Sequence, residues 1–336
     1  MSLELRDMEG VSAPYLEGGP WINAEAVDLE DLRGLVVLLG FWTTSCHTCM
    51  HSMPFIRDWW NRYHDKGLAI IGVHTPRFEF EKDWDHVERF CRENGIVWPV
   101  VMDNERRIWD GYKVPEWPWF FLIDKDGIIR YDHAGSADHS LTDELIVKLL
   151  AEVNADMEAS AEIVEEHAHD KNEQTCYTFG PDVYCGYEKG AIGNPEGFHR
   201  DEIWSYEDPG VYEEGHIYLE GPWEATREYV RLAEGCERFD YYIAAPYTGI
   251  EANAVVGPAR GGEFKVYATI DGGPVPSHMA GKDLQIDSGY CFVTVNRPGV
   301  YQLIRDNDSG THVLRLTSDS DELAVYQFTF GDCLER

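Results

Sequence analysis

Two cysteines separated by two residues carry the strongest chemical signature in this sequence. Cys46 and Cys49 enclose His47 and Thr48. A CxxC pair can close a disulfide ring, or it can supply half of the ligands of a structural zinc site. The other six cysteines include no second CxxC and no grouping with histidines at zinc-site spacing. We therefore interpret the pair as a redox-active dithiol and expect no metal there.

The position of the pair along the chain predicts which cysteine attacks. Residues 35–42 are an apolar run of strand length, and residues 46–64 carry apolar side chains at helical intervals. Cys46 therefore falls at a helix N-terminus, where unpaired N–H groups and the positive end of the dipole should lower its pKa. We expect Cys49 to lie one turn further in and to be more buried, and His47 to tune the potential of the pair.

The predicted reaction is thiol–disulfide exchange. The Cys46 thiolate attacks a substrate disulfide and forms a mixed disulfide, and Cys49 then attacks Cys46 and releases the reduced substrate. In the opposite direction, the same pair oxidises a dithiol. Cys46 and Cys49 are the predicted catalytic residues, and their own disulfide is the only redox group that the chemistry requires, so we expect no separate cofactor.

The first half of the chain alternates predicted strands and helices, which is typical of a mixed sheet covered by helices on both faces. This order of elements predicts an α/β thioredoxin fold over residues 1–155. Pro54 predicts a kink in the first helix. We predict strands at 35–42, 68–74, 98–103, 119–124 and 128–135, helices at 46–64, 80–94 and from about 142, and a helical turn at 104–112.

The second half of the chain has a different character. After an acidic linker at 156–175, about nine short aromatic and β-branched runs alternate with turn residues, which predicts an all-β, jelly-roll-like sandwich over 176–336. In the linker, His167 and His169 lie beside acidic residues. A metal site is one interpretation of this segment, and a solvated charge run is the interpretation that we favour.

The overall charge excludes several classes of partner. The chain has 336 residues, 61 acidic and 28 basic, and a net charge of −33. Such a surface repels nucleic-acid phosphates and anionic lipid head groups, so we expect neither as a partner. The acidity is typical of a well-solvated surface or of adaptation to high salt. We find no signal peptide and no apolar segment long enough to span a bilayer, and we expect a cytoplasmic location, or an extracytoplasmic one if a signal was removed.

Three segments carry a family resemblance. The runs FWTTSCHTCMHSMP at 41–54, LAIIGVHTPRFEFEK at 68–82 and WPWFFLIDKDGIIRY at 117–131 resemble TlpA-like thioredoxins, and more closely the thioredoxin domain of DipZ-type cytochrome c biogenesis proteins. This resemblance covers about residues 35–150. A weaker one follows: GPW at 221–223 and VYQFTFG at 325–331 resemble the carbohydrate-binding-module-like sandwich of DipZ-type proteins.

The resemblance implies further site residues. It implies a cis-proline at Pro118 that faces the CxxC pair and presents the backbone of Trp117 to an extended substrate. Pro115 is the alternative for this role, and an ordinary trans turn is the alternative conformation. Relatives often carry a proton-transferring glutamate three residues after the second cysteine, where this chain has Ser52. The resemblance leaves Glu81 and Glu116 as substitutes for proton transfer, and it assigns substrate binding to Trp42, His47, Trp117 and Pro118.

Two other functions compete with a disulfide reductase. In the first, the second domain binds a glycan or a protein and the thioredoxin domain is accessory. In the second, the chain is a thiol peroxidase, suggested by Thr75-Pro76-Arg77, although no cysteine occupies the matching place. The expected partners are protein thiols and disulfides, an unidentified electron donor, and a glycan or protein ligand of the second domain. Cys176 and Cys185 could form a local disulfide outside a reducing compartment.

Overall fold

The protein is described by a computed structural model over residues 8–135, 139–154, 177–235 and 240–333. The chain divides into two units, Met1–Gln174 and Thr175–Arg336. The predicted linker at 156–175, with His167 and His169, lies outside the described residues, as does Cys176. The domain boundaries drawn from the sequence therefore stay a prediction.

A six-stranded mixed sheet forms the centre of the first unit, in the order β1-β4-β3-β2-β5-β6. Strands β2, β3 and β4 run parallel, and β5 and β6 run antiparallel at one edge. This arrangement confirms the predicted α/β thioredoxin fold. The elements are β1 Trp21–Ile22, β2 Val36–Trp42, α1 His47–Tyr63, β3 Leu68–His74, α2 Trp84–Glu93, β4 Val100–Met102, α3 Arg107–Gly111, β5 Trp119–Ile123, β6 Ile129–Ala134 and α4 His139–Val153.

The central strand β2 is buried along its whole length, as its apolar run predicts. Its side chains alternate between two cores because successive residues of a strand point to opposite faces. Val36 and Leu38 pack in the core that contains residues of α1, α2 and α4, whereas Val37 and Leu39 pack in the core that contains residues of α3. The strand is thus held on both sides up to Trp42, four residues before Cys46.

Two predicted helix boundaries are wrong. The helix predicted at 80–94 is a short 3₁₀ helix, Glu79–Lys82, followed by α2. The break falls at Asp83, whose side chain accepts a hydrogen bond from the His86 N–H and caps the new helix. The last helix of the unit begins at His139 rather than near Thr142.

The second unit is built from antiparallel strands, and this strand-rich architecture supports the predicted β-sandwich class. The long strand β12 pairs with β10 near its start, with β18 in its second half, and with β17 along most of its length. One large apolar core includes Trp223 and Phe328. Within the described residues the unit has twelve strands, more than the nine predicted: β7 Tyr177–Phe179, β8 Val183–Tyr184, β9 Ile203–Tyr206, β10 Tyr218–Ala225, β11 Val230–Leu232, β12 Tyr242–Pro258, β13 Phe264–Ile270, β14 Gly273–Pro274, β15 Gln285–Asp287, β16 Tyr290–Val295, β17 Gly299–Thr317 and β18 Leu323–Cys333.

Among the helices of the described segments, none combines the length and the apolar composition that crossing a bilayer requires.

A buried histidine packs at the start of α4. The His139 ring lies against Phe55, with 4.1 Å between centroids and a tilt of 31°, and meets Trp59 edge-on at 5.8 Å. Neither of its ring nitrogens has a hydrogen-bond partner among the described residues. Burial, assisted by neighbouring His133, lowers the pKa of His139 to about 4.

This histidine should make folding sensitive to mild acid. The unfolded chain takes up a proton near the ordinary histidine pKa, about 6.5, whereas the folded chain resists it until about pH 4. The stability that depends on neutral His139 is therefore fully retained above about pH 6.5. As the pH falls towards 4, the free energy of unfolding should decrease by about 3 kcal/mol. Urea unfolding of His139→Leu at several pH values should show a flatter dependence than the parent chain. Equal slopes for the two proteins would contradict this prediction.

Candidate redox-active site

The sulfurs of Cys46 and Cys49 are bonded to each other at the start of α1, with their Cα atoms 5.2 Å apart. Cys46 is the N-cap residue of this helix, and the Cys49 backbone N–H donates to the Cys46 sulfur at 3.1 Å. After reduction, the same N–H and the positive end of the helix would favour a negative charge on Cys46. The structure therefore brings the two predicted catalytic residues together at the predicted place.

Whole-residue burial does not separate the two cysteines. Cys46 is 2% exposed and Cys49 is 1% exposed. Cys49 was predicted to be more buried than Cys46, but the difference in exposed fraction is too small to identify the attacking sulfur. The assignment of attack to Cys46 rests instead on its N-cap position, because Cys49 already lies inside the first turn.

The loop between β2 and Cys46 is held by the carboxylate of Glu81. Its Oε1 atom accepts hydrogen bonds from the Thr43 hydroxyl at 2.6 Å, the Thr44 hydroxyl at 2.8 Å and the Ser45 backbone N–H at 2.7 Å. Its Oε2 atom accepts from the backbone N–H groups of Arg77 and Phe78 at 2.7 and 2.9 Å. Glu81 thus ties the three residues before Cys46 to the segment after β3.

These five hydrogen bonds also determine the charge of Glu81. The side chain is completely buried, and burial alone would raise its pKa. The hydrogen bonds to the carboxylate and the nearby His74 outweigh burial and hold the pKa of Glu81 below its ordinary value. Burial outweighs the attraction of Glu81 and lowers the pKa of His74 to about 4.

A histidine extends this network towards α2. The Thr44 hydroxyl lies 2.9 Å from Nε2 of His86. Because the single Thr44 proton is donated to Glu81, His86 must donate to the Thr44 oxygen and therefore carries its proton on Nε2. The polar run Thr43-Thr44-Ser45, placed between an apolar strand and the CxxC, is the sequence signal from which this network could have been anticipated.

The peptide bond between Trp117 and Pro118 is cis, which confirms Pro118 rather than Pro115 as the cis-proline. The Trp117 indole N–H donates to the Thr75 carbonyl at 3.1 Å. The guanidinium groups of Arg77 and Arg106 lie 4.9 and 5.3 Å from the Trp117 ring. These contacts fix the orientation of the residue whose backbone was predicted to meet the substrate. Sequence reasoning named Arg77 only as part of a possible peroxidase motif and missed Arg106.

An apolar cavity joins the cis-proline to the redox pair, since Pro118 and Cys49 both line it. Trp42 forms another part of its wall and is only 4% exposed, packed edge-on against His74 at 5.1 Å. Trp42 was predicted to bind substrate. The structure places it inside the core beneath the site, and its part in binding stays a prediction.

The remaining predicted site residues differ in their surroundings. His47 is buried at the first position of α1, and its Nε2 atom lies 3.0 Å from Nε2 of His51, which sequence reasoning missed. Glu116 is exposed in the turn before Trp117. Ser52 is buried, and its hydroxyl lies 3.4 Å from the Thr48 carbonyl, so it closes a local helix contact.

Comparison with known proteins agrees with this geometry. Residues 22–148 match the Redoxin family, and residues 180–331 match the family described as thioredoxin-like C-terminal domain. Protein DipZ of Mycobacterium tuberculosis is 32% identical over 215 residues, which are 63% of this chain and 29% of DipZ. The chain is therefore similar to DipZ-type thioredoxin-fold proteins in both of its units. It spans less than a third of the length of DipZ.

Other relatives match only the first unit of the chain. Thiol-disulfide oxidoreductase YkuV of Bacillus subtilis is 27% identical over 132 residues, 39% of this chain and 88% of YkuV. Among solved structures, a thiol-disulfide isomerase from Corynebacterium glutamicum is 27% identical, with a TM-score of 0.39 over 41% of this chain and 97% of the isomerase.

Replacing Glu81 should test whether it positions the loop or transfers protons. In Glu81→Gln the amide NH₂ group would face backbone N–H or hydroxyl donors. Each donor left without an acceptor should lower the free energy of unfolding by about 1–3 kcal/mol, measured by urea unfolding. Glu79→Gln is the matched control, because Glu79 is exposed and pairs with Lys82 at the surface, so it should change stability by less than about 0.5 kcal/mol.

The two roles of Glu81 predict different results. A positioning role requires Glu81→Gln to lose stability and to change the alkylation rate of reduced Cys46 together. A variant as stable as the parent chain, with only the pH dependence of turnover altered, would instead assign proton transfer to Glu81.

Proposed function

We propose that this chain is a thiol–disulfide oxidoreductase that acts on protein disulfides through Cys46 and Cys49. The observation that carries the proposal is the ring-closed CxxC at the N-cap of α1, in contact with a cavity that cis-Pro118 also lines. The names of YkuV and of the thiol-disulfide oxidoreductase ResA of Bacillus anthracis, which is 33% identical over 106 residues, support the same chemistry.

The proposed reaction starts from the reduced protein. The Cys46 thiolate attacks one sulfur of a substrate disulfide, and the other substrate sulfur leaves as a thiolate that takes up a proton. Cys49 then loses its proton and attacks Cys46, which breaks the mixed disulfide and regenerates the observed ring. The second substrate sulfur leaves as a thiol, and two electrons have passed from the protein to the substrate. Proton transfer by Glu81 or Glu116 stays a prediction.

The proposal extends to partners and location. We expect protein thiols and disulfides as substrates, a separate electron donor, and no cofactor besides the Cys46–Cys49 couple. The net charge of −33 makes nucleic acid and anionic membranes poor partners. The location inferred from the sequence, cytoplasmic as given or extracytoplasmic if a signal was removed, stays a prediction.

Insulin reduction by the full chain, with dithiothreitol as electron donor, tests the activity. Cys46→Ser should reduce the rate to that of dithiothreitol alone, because no attacking thiolate remains. Cys49→Ser should accumulate a mixed disulfide, visible by non-reducing electrophoresis, because the resolving step is lost. Cys91→Ala is the control, since Cys91 is buried in the core. Activity retained by Cys46→Ser would overturn the proposal.

The direction of electron flow requires a redox titration of the Cys46–Cys49 couple. A potential near that of thioredoxin, about −270 mV, favours a reductase, and a value near about −120 mV favours an oxidase.

The thiol peroxidase alternative finds no support in the described residues. Thr75 is buried, and its hydroxyl donates to Asp103 at 3.3 Å. The free cysteines described, Cys91, Cys185 and Cys291, are all buried. Burial raises the pKa of Cys91 to about 12, which leaves almost no thiolate to attack a peroxide at neutral pH.

An exposed tryptophan stacked on a partly buried histidine supports the second candidate, a glycan-binding role for the second unit. Trp204 on β9 is 42% exposed, and its ring stacks on His199 with centroids 3.7 Å apart and an angle of 2°. Flat, partly exposed indole rings suit stacking against sugar rings, which present apolar C–H faces.

Binding of the full chain to soluble cellulose-, chitin- and mannan-derived oligosaccharides tests this role. Trp204→Ala should weaken any binding by at least about tenfold, as expected for a central aromatic contact. Trp84→Ala is the matched control, since Trp84 is equally exposed, at 43%, in the first unit. Absence of binding to every sugar, or equal binding by both variants, would argue against the glycan role.

A further inference from the structure

Two histidines face each other on the helix that carries the redox pair. His47 and His51 are one turn apart on α1, so their side chains lie on the same face. Their Nε2 atoms are 3.0 Å apart, and their ring centroids are 4.8 Å apart at an angle of 68°. The two imidazoles therefore converge on one point through the same ring atom.

This convergence has the dimensions of a metal chelate. Imidazole nitrogens bind Zn²⁺ at about 2.0–2.1 Å. Two such nitrogens on one ion lie about 3.0 Å apart for a right angle at the metal and about 3.4 Å apart for a tetrahedral angle. The observed separation of 3.0 Å falls at the lower end of this range. Two histidines at i and i+4 on one helix face are also the pair that holds zinc in the HExxH motif.

We propose that His47 and His51 form a binding site for a divalent transition-metal ion such as Zn²⁺, with water completing the coordination. The ligands are neutral nitrogens, which bind borderline ions and discriminate against Mg²⁺ and Ca²⁺. The proposal does not use the cysteines, because the sulfurs of Cys46 and Cys49 are bonded to each other. It is also independent of the proposed oxidoreductase activity.

Binding requires one proton to move. A hydrogen bond between two Nε2 atoms needs a proton on one of them, whereas both must present a lone pair to a metal. The ring that holds the proton on Nε2 must therefore change to the Nδ1–H tautomer when the ion binds. The proton stays on the same imidazole, no electron is transferred, and the step is balanced.

The two histidines lie next to the redox pair in the sequence. His47 lies between the two cysteines, and His51 lies two residues after Cys49. A bound ion would therefore lie within the turn of helix that carries the disulfide. The sequence analysis predicted that no metal binds the sulfurs of the CxxC pair. The site proposed here uses histidine nitrogens instead of those sulfurs.

Two other features of the chain could bind Zn²⁺ and must be separated from this site. The net charge of −33 gives weak binding of cations by surface carboxylates. The segment around His167 and His169 combines imidazoles with acidic residues and was identified from the sequence as an alternative metal site. Excess Mg²⁺ occupies the carboxylates, and a His167→Ala/His169→Ala variant removes the second set of ligands.

Calorimetric titration of the full chain with Zn²⁺ tests the proposal. The protein is kept in the disulfide form, in physiological salt with excess Mg²⁺, so that neither thiolates nor carboxylates dominate. We expect the His167→Ala/His169→Ala variant to bind one Zn²⁺ per chain, and the further change His51→Ala to weaken that binding by at least about tenfold. His51→Gln, with circular dichroism as a check of folding, guards against a misfolded alanine variant.

The titration has results that support the His47–His51 chelate and results that contradict it. Loss of Zn²⁺ binding in both His51 variants supports the chelate. The proposal would be overturned if the parent chain does not bind Zn²⁺ or if the His51 variants bind it equally well. It would also be overturned if binding is lost only when His167 and His169 are replaced. Because no turnover is measured, these results do not depend on whether the chain reduces disulfides.

Discussion

The sulfur of Cys46 occupies the N-cap position of α1, and the rest of the first unit serves to keep it there. An N-cap group accepts hydrogen bonds from N–H groups that have no partner within the helix. Here the acceptor is the sulfur, and the Cys49 N–H is the donor at 3.1 Å. The same geometry that caps the start of the helix also favours the charged form of the thiol predicted to attack, so one backbone arrangement contributes to both folding and the proposed chemistry.

The position of Cys46 depends on the loop before it, which is held by β2 on one side and by Glu81 on the other. On one side, β2 is buried in the centre of the sheet and packs into both apolar cores. On the other side, the buried carboxylate of Glu81 gathers donors from Thr43, Thr44 and Ser45 and joins them to the segment after β3. A buried charge is tolerated in this place because its hydrogen-bonding capacity is satisfied.

Different contacts hold the residues next to the cis-proline. Trp117 is oriented by a hydrogen bond to the Thr75 carbonyl and by the guanidinium groups of Arg77 and Arg106. In a chain of such negative charge, two arginines beside the cis-proline form a local exception. The second unit has its own apolar core, and its proposed binding role rests on the exposed Trp204 ring stacked on His199.

The fold class and the CxxC pair could be predicted from the amino-acid sequence. Both follow from local patterns: an apolar strand, a CxxC, a helical repeat, and the Trp117-Pro118 step before a strand. Boundaries such as the break at Asp83 were missed because a single capping hydrogen bond overrides the helical periodicity. The surroundings of the pair became visible only in three dimensions. Glu81 lies more than thirty residues from the loop it holds, and the Arg106 guanidinium lies near the Trp117 ring although the two residues are separated in sequence. The His47–His51 distance depends on side-chain rotamers within one helix turn. Such contacts depend on how segments pack in three dimensions, which the spacing of residues along the chain does not specify.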